Sequence, residues 1–169
     1  IARFIDAGLD AQGSAWLAME YIDGQSLTDW AQTQRPSLPD RLRLFQQICQ
    51  AVHAAHRQLV IHRDLKPANV LVDAQGHAHL LDFGIAKLMD DTQREATVTS
   101  LTPAYAAPEQ LLGEPVGTAA DVFALGLLLM QLLSGRLPDE RANLALPQLV
   151  LRARAPLQQR ASDLAAQQD

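Results

Sequence analysis

Cysteine, aromatic side chains and positive charge are all scarce in this chain. Cys49 is the single cysteine among 169 residues, so no internal disulfide can form. Its place on the apolar side of a helical pattern predicts a reduced, buried thiol, which fits a cytoplasmic setting. Lys and Arg number 14 against 19 Asp and Glu, a formal net charge of -5. That balance argues against general binding to nucleic acid or anionic membranes, both of which need clustered positive charge. Long hydrophobic runs are missing too. The most apolar stretch, Val122 to Leu133, is interrupted by Gly126 and Gln131 and is shorter than the about 20 residues needed to cross a bilayer. It reads as a buried core helix. No charged-then-apolar leader opens the sequence, and Ile1 is not an initiator methionine. We therefore expect a piece of a longer protein, any membrane anchor of which lies outside this chain. With 48% hydrophobic and 20% charged residues, the composition is that of a folded domain. The length suits one domain with a sizeable core.

What is present is concentrated chemistry. His62-Arg63-Asp64-Leu65-Lys66-Pro67-Ala68-Asn69 puts a carboxylate, two cations and an amide in one short loop, and Asp82-Phe83-Gly84 follows. Phosphoryl transfer from a metal-bound nucleotide needs such a set. Asp64 can accept the proton of an attacking hydroxyl and Lys66 can neutralise charge on the moving group. Asn69 and Asp82 can hold metal ions. Ala107-Pro108-Glu109 comes next, and then Asp121-Val122-Phe123-Ala124-Leu125-Gly126 at the start of the apolar run. The order and spacing of these four blocks resemble the catalytic domain of eukaryotic-type Ser/Thr protein kinases. The wording Thr102-Pro103-Ala104-Tyr105-Ala106-Ala107-Pro108-Glu109-Gln110 is similar to the bacterial members.

Local patterns predict the elements. Ile1–Ile5 and Ala15–Tyr21 read as the strands of a hairpin, with a turn around Asp6 to Gly13. Asp23 to Ser26 breaks the pattern, and Leu27 to Trp30 starts a short helix. Ser37, with Asp40 three residues on, marks the start of a longer helix whose apolar positions are Leu42, Phe45, Cys49 and Val52. Leu44, Ile48 and Ala55 widen that stripe. Val60-Ile61 reads as a very short strand. Val70–Val72, a turn at Asp73–Gly76, and Ala78–Leu81 predict a second hairpin that folds Asp82 back beside Asn69. Lys87 to Ser100 reads as a loop. Helix resumes at Glu109–Leu112 and at Ala119–Leu133, closed by Gly135. Pro147–Arg154 could form a further helix with proline in its first turn. Short strands followed mostly by helix suit an α+β domain.

The resemblance covers Ile1 to about Pro138 and implies a kinase-like fold. Residues 1–18 would be the last strands of the N-lobe, 19–26 the hinge, 27–138 the C-lobe, and 139–169 a further C-terminal part of it. It implies Mg2+ and ATP as cofactors and a protein substrate carrying Ser or Thr, because Lys66 follows Asp64 by two and the Ala-Pro-Glu block is present. Met19 would be the gatekeeper. Glu20 and Ile22 would meet the adenine edge through main-chain groups, and Leu71 would form the floor under the ring. Arg63 would grip a phosphate on the activation loop, where Thr92, Thr97, Thr99 and Ser100 are possible acceptors. Thr102 would bond Asp64 and Lys66, although Leu101 stands where relatives usually have Gly. Glu109 and Asp121 would be structural. Ser26 replaces an acid that many relatives use for the ribose.

A glycine-rich loop and a strand lysine, which precede these blocks in the family, are not in this sequence, so we expect the chain alone to be inactive or nearly so. Two other readings stay open: a non-catalytic scaffold or truncated gene product with the same fold, and a phosphotransferase acting on a small molecule. His53 and His56, three apart, read as packing residues. His77 and His79 share a solvated strand face, and Trp16 and Trp30 read as packing residues.

Overall fold

Two small antiparallel sheets and four helices form the computed structural model, which describes residues 1–81 and 103–136. The expected loop at Lys87–Ser100 and helix at Pro147–Arg154 lie outside the described residues.

The first sheet pairs β1 (Phe4–Leu9) with β2 (Ala15–Met19), with a bulge between Phe4 and Asp6. This corrects the sequence reading, which ended the first strand at Ile5. Asp10, not Asp6, makes the turn: its Oδ1 accepts from the N–H of Gln12 at 2.9 Å and of Ser14 at 2.8 Å. Gly13 supplies the positive φ of 82° that the turn needs. Strand pairing therefore extends through Gly8, which lies under the Trp16 ring; a Cβ there would come within 2.9 Å of Trp16 Cζ2.

The second sheet has the order β3 (Gly24–Ser26), β4 (Val70–Asp73), β5 (Ala78–Leu80). The β4–β5 hairpin is the one expected, pairing Val70 with Leu80 and Leu71 with His79. β3 was not expected. Three residues carry no readable alternation, and the strand exists because Gln25 and Ser26 find Val72 and Leu71 across the sheet. Val60-Ile61 shows the converse. It is not a strand; the Val60 N–H returns to the Ala55 carbonyl at 3.0 Å, closing the preceding helix.

Ser26 caps α1 (Leu27–Gln34), its Oγ accepting from the Asp29 N–H at 3.2 Å. Ser37 caps α2 (Leu38–Arg57) in the same way, with Pro39 in the first turn. The buried face of α2 is Leu44, Ile48, Val52 and Ala55. Leu42 is 45% exposed, and Cys49 is half-buried, its thiol pushed up in pKa by burial. The expected stripe was thus rotated by about one residue. The apolar residues of α2 cover more than one face, and only the neighbour it meets selects between them.

That neighbour is α4 (Thr118–Ser134), which follows the single-turn α3 (Pro108–Leu111). Arg41 of α2 donates to the Leu132 and Leu133 carbonyls at the end of α4, at 3.0 and 3.2 Å. Gly135 ends α4 with φ 73°. Ile48, Val52, Leu65, Val70, Leu80 and Leu128 are fully or almost fully buried in one cluster between these helices and the second sheet. Each such side chain contributes about 1.5–3 kcal/mol by burial. Among the described residues, no helix is long and apolar enough to cross a membrane.

Candidate active site

The loop between α2 and β4 is held from beneath by one carboxylate. Asp121, in the first turn of α4, is 1% exposed. Its Oδ2 accepts from the His62 N–H at 2.8 Å and its Oδ1 from the Arg63 N–H at 2.9 Å. His56 Nε2 meets Oδ2 at 2.7 Å. The charge is buried only because these groups satisfy it. Arg63 takes φ 65°, a conformation costing a side-chain-bearing residue roughly 1–2 kcal/mol, which the fixed N–H groups help to impose. His56 reads as a packing residue in the sequence, and nothing in its spacing marks a partner 65 positions away.

Gln110 is a second residue that sequence reasoning missed. It is 7% exposed. Its Nε2 donates to the Arg63 carbonyl at 2.6 Å and its Oε1 accepts from the Ala107 N–H at 3.0 Å. The one available signal was a Gln directly after Ala-Pro-Glu, at the start of a short apolar run.

Asp64, Lys66 and Asn69 come together at the top of this base. Lys66 Nζ is 2.8 Å from Asp64 Oδ2. Asn69, in a single 3-10 turn that starts at Pro67, donates from Nδ2 to the Asp64 carbonyl at 2.9 Å and to Asp64 Oδ2 at 3.3 Å. Both of these side-chain contacts fall on Oδ2, so that among the described residues Oδ1 is left for a further proton. Because the Asn69 nitrogen is committed to Asp64, its amide oxygen is the atom left for a hard cation, which prefers oxygen. The β4–β5 hairpin returns beside it, the Leu81 N–H donating to the Asn69 carbonyl at 2.9 Å. Asp82, the next residue, lies outside the described residues, as do Thr97, Thr99 and Thr102. His62 is fully buried, with Nε2 at 2.9 Å from the Leu81 carbonyl. Burial depresses its pKa by more than the Asp121 charge raises it.

The remaining residues are spread around this centre. The Glu20 N–H is taken by the Arg3 carbonyl at 2.8 Å. Ile22 is half-buried. Leu71 is half-buried on the face of β4 opposite to the buried Val70 and Val72. Glu109 is half-buried in α3. His77 and His79 do not stand apart as a solvated face: Nε2 of His79 lies 2.8 Å and Nδ1 of His77 3.4 Å from Asp73 Oδ2. Among the described residues no group of three or more His, Cys, Asp or Glu is arranged to hold a metal. A cavity of about 850 Å³ lies between α1, α2 and the β4–β5 turn, and its lining includes neither Asp64, Lys66 nor Asn69.

Comparison with known proteins gives the family. The family model described as "Protein kinase domain" matches residues 1–162. The chain belongs to the protein kinase family. Serine/threonine-protein kinase PknB of Mycolicibacterium smegmatis is 38% identical over 127 residues, 73% of this chain and 20% of that protein. Serine/threonine-protein kinase Pkn1 of Myxococcus xanthus is 42% identical over 147 residues, 83% of this chain and 21% of that protein. The SNF1-related protein kinase catalytic subunit alpha KIN12 of Arabidopsis thaliana is 36% identical over 137 residues, 80% of this chain and 28% of that protein. The chain spans about a fifth of the length of the bacterial relatives it matches. The described fold is that of a kinase-like domain, with its helices and two small sheets.

Proposed function

We propose that the protein containing this chain transfers the γ-phosphoryl group of ATP to Ser or Thr hydroxyls of a protein substrate. The observation that carries this reading is the Asp64–Lys66–Asn69 cluster, in which Oδ2 of Asp64 is paired and Oδ1 is left over among the described residues. In the transfer, the substrate hydroxyl oxygen bonds to the γ-phosphorus. The bond from that phosphorus to the β–γ bridging oxygen breaks, and its electron pair leaves with ADP. The hydroxyl proton passes to Asp64, at the oxygen Lys66 does not hold. Lys66 neutralises charge on the moving group. Mg-ATP, when bound, supplies the phosphoryl group and offsets its charge. Asn69 and Asp82 would hold the metal, and the Asn69 oxygen left by its bond to Asp64 suits that role.

The carbonyl of Glu20 and the main chain of Ile22 would face the adenine edge, with Leu71 beneath the ring. Arg63 would take a phosphate placed on Thr97 or Thr99, for which a planar guanidinium is well shaped. Thr102 would bond Asp64 and Lys66, while Glu109 and Asp121 would serve the frame. Residues 1–18 would belong to the N-lobe, 19–26 to the hinge and 27–138 to the C-lobe, with 139–169 continuing it. ATP as donor suits the cytoplasm. A scaffold that only binds partners has no physical use for the Asp64–Lys66–Asn69 cluster.

Asp64→Asn keeps the shape and removes the proton acceptor. We expect it to lower phosphate transfer by about 10²-fold or more while ATP affinity changes little. Transfer of radiolabel from ATP to a protein substrate by the full-length protein checks this. Undiminished transfer by the variant would remove Asp64 from the mechanism.

A further inference from the structure

We infer that Gln110 is a positioning residue for Asp64, holding the peptide that carries the base and tying it to the end of the Ala107-Pro108-Glu109 segment. The inference rests on the transfer proposed above. Asp64 is joined to the chain by two peptide planes, and each is held by a side chain. Its own carbonyl accepts from Asn69 Nδ2 at 2.9 Å, which fixes the plane after it. The Arg63 carbonyl belongs to the plane before it, and accepts from Gln110 Nε2 at 2.6 Å. Asp121 does not do this work. Its two main-chain bonds go to the His62 and Arg63 N–H groups, which belong to planes further upstream. Rotation of the Arg63–Asp64 plane turns the Asp64 side chain directly, so the Gln110 bond bears on where the carboxylate points.

The Gln110 amide has only one orientation that serves. Its oxygen accepts from the Ala107 N–H at 3.0 Å, so its nitrogen must be the group that faces Arg63. Only a side chain with an acceptor on one branch and a donor on the other meets both demands. Gln110 is 7% exposed, so water does not readily substitute for either bond. A shift of α3 would therefore reach the base through a single side chain.

Gln110→Glu separates the two bonds. The ionised carboxylate still accepts from Ala107 but sets an oxygen against the Arg63 carbonyl. In the full-length protein at neutral pH we expect kcat to fall roughly ten- to a hundredfold, with the KM for ATP unchanged. As pH falls and the introduced carboxyl gains a proton, it can donate to Arg63, so kcat relative to wild type at the same pH should climb. Gln110→Met lacks both bonds and should stay low at every pH. Wild-type kcat in Gln110→Glu even at the alkaline end of the profile, where its carboxyl is ionised, or a loss that is flat with pH and equal in the two variants, would overturn the inference. A measurement on the unaltered protein stands apart from activity: a scalar coupling across the hydrogen bond from the Gln110 side-chain amide to the Arg63 carbonyl carbon. If wild type transfers no phosphate, the proposed function fails by itself, and the coupling decides the Gln110 link. Its absence would overturn that link.

Discussion

Asp121 shows how much one side chain can organise at the residue scale. Its carboxylate satisfies two main-chain N–H groups and a His56 nitrogen while being 1% exposed. Replacing it by alanine leaves the His62 and Arg63 N–H groups buried without an acceptor. Each such group costs about 1–3 kcal/mol, and the left-handed Arg63 loses a restraint. We expect Asp121→Ala to destabilise the fold by about 3 kcal/mol or more, read from urea unfolding midpoints at constant slope. A loss within a few tenths of a kcal/mol would mean that the loop holds its shape without the carboxylate.

At the scale of an element, the β4–β5 hairpin returns beside Asn69, and Asp73 closes its turn. Oδ1 accepts from the Gln75 N–H at 2.9 Å and the His77 N–H at 2.8 Å, while Oδ2 meets His79. The His77 N–H is the largest cause that holds the Asp73 pKa down to about 2, against an ordinary value of 3.8. The sign follows from proton uptake. Below 3.8 the unfolded chain binds a proton that the folded one resists, so the contribution is fully present above 3.8. It is lost as pH falls through about 2. We expect the Asp73 carboxyl carbon to titrate near 2 by NMR, and Asp73→Ala to remove that dependence. A midpoint at the ordinary value would show that the turn does not use the charge.

Across the whole molecule, protection should follow burial. Val122 to Leu133 belongs to α4, whose Leu127, Leu128 and Leu132 are almost wholly buried. In the first sheet Phe4, Ile5 and Trp16 are 50%, 56% and 43% exposed, and a two-stranded sheet is marginal in water. We expect the amides of Leu17 to Met19 in this chain to exchange at least about a hundredfold faster than those of Leu127 to Leu132. Hydrogen exchange of the purified chain decides it, and equal protection of the two segments would contradict the expectation. By the same exposed faces, we expect the segment from Ile1 to Tyr21 to be the most prone to association among the described residues.

The sequence by itself determined whatever is written in neighbouring residues. Ser37 with Asp40, Gly135 after the apolar run, and Asp73 to Gly76 between two short strands all act over one turn or one hairpin, where spacing is geometry. The loop from His62 to Asn69 is legible for the same reason, since its chemistry is local. Tertiary structure decided the rest. It made a strand of Gly24–Ser26 and denied one to Val60-Ile61, because a short strand is defined by the partner that completes its hydrogen bonds. It chose Leu44, Ile48 and Val52 over Leu42 on α2, because an over-wide apolar face is settled by the helix it meets. It also brought His56, Asp121 and Gln110 to the loop from 6 to 59 positions away in sequence, where no period records them. A buried polar group needs a partner, but only the folded chain says which one.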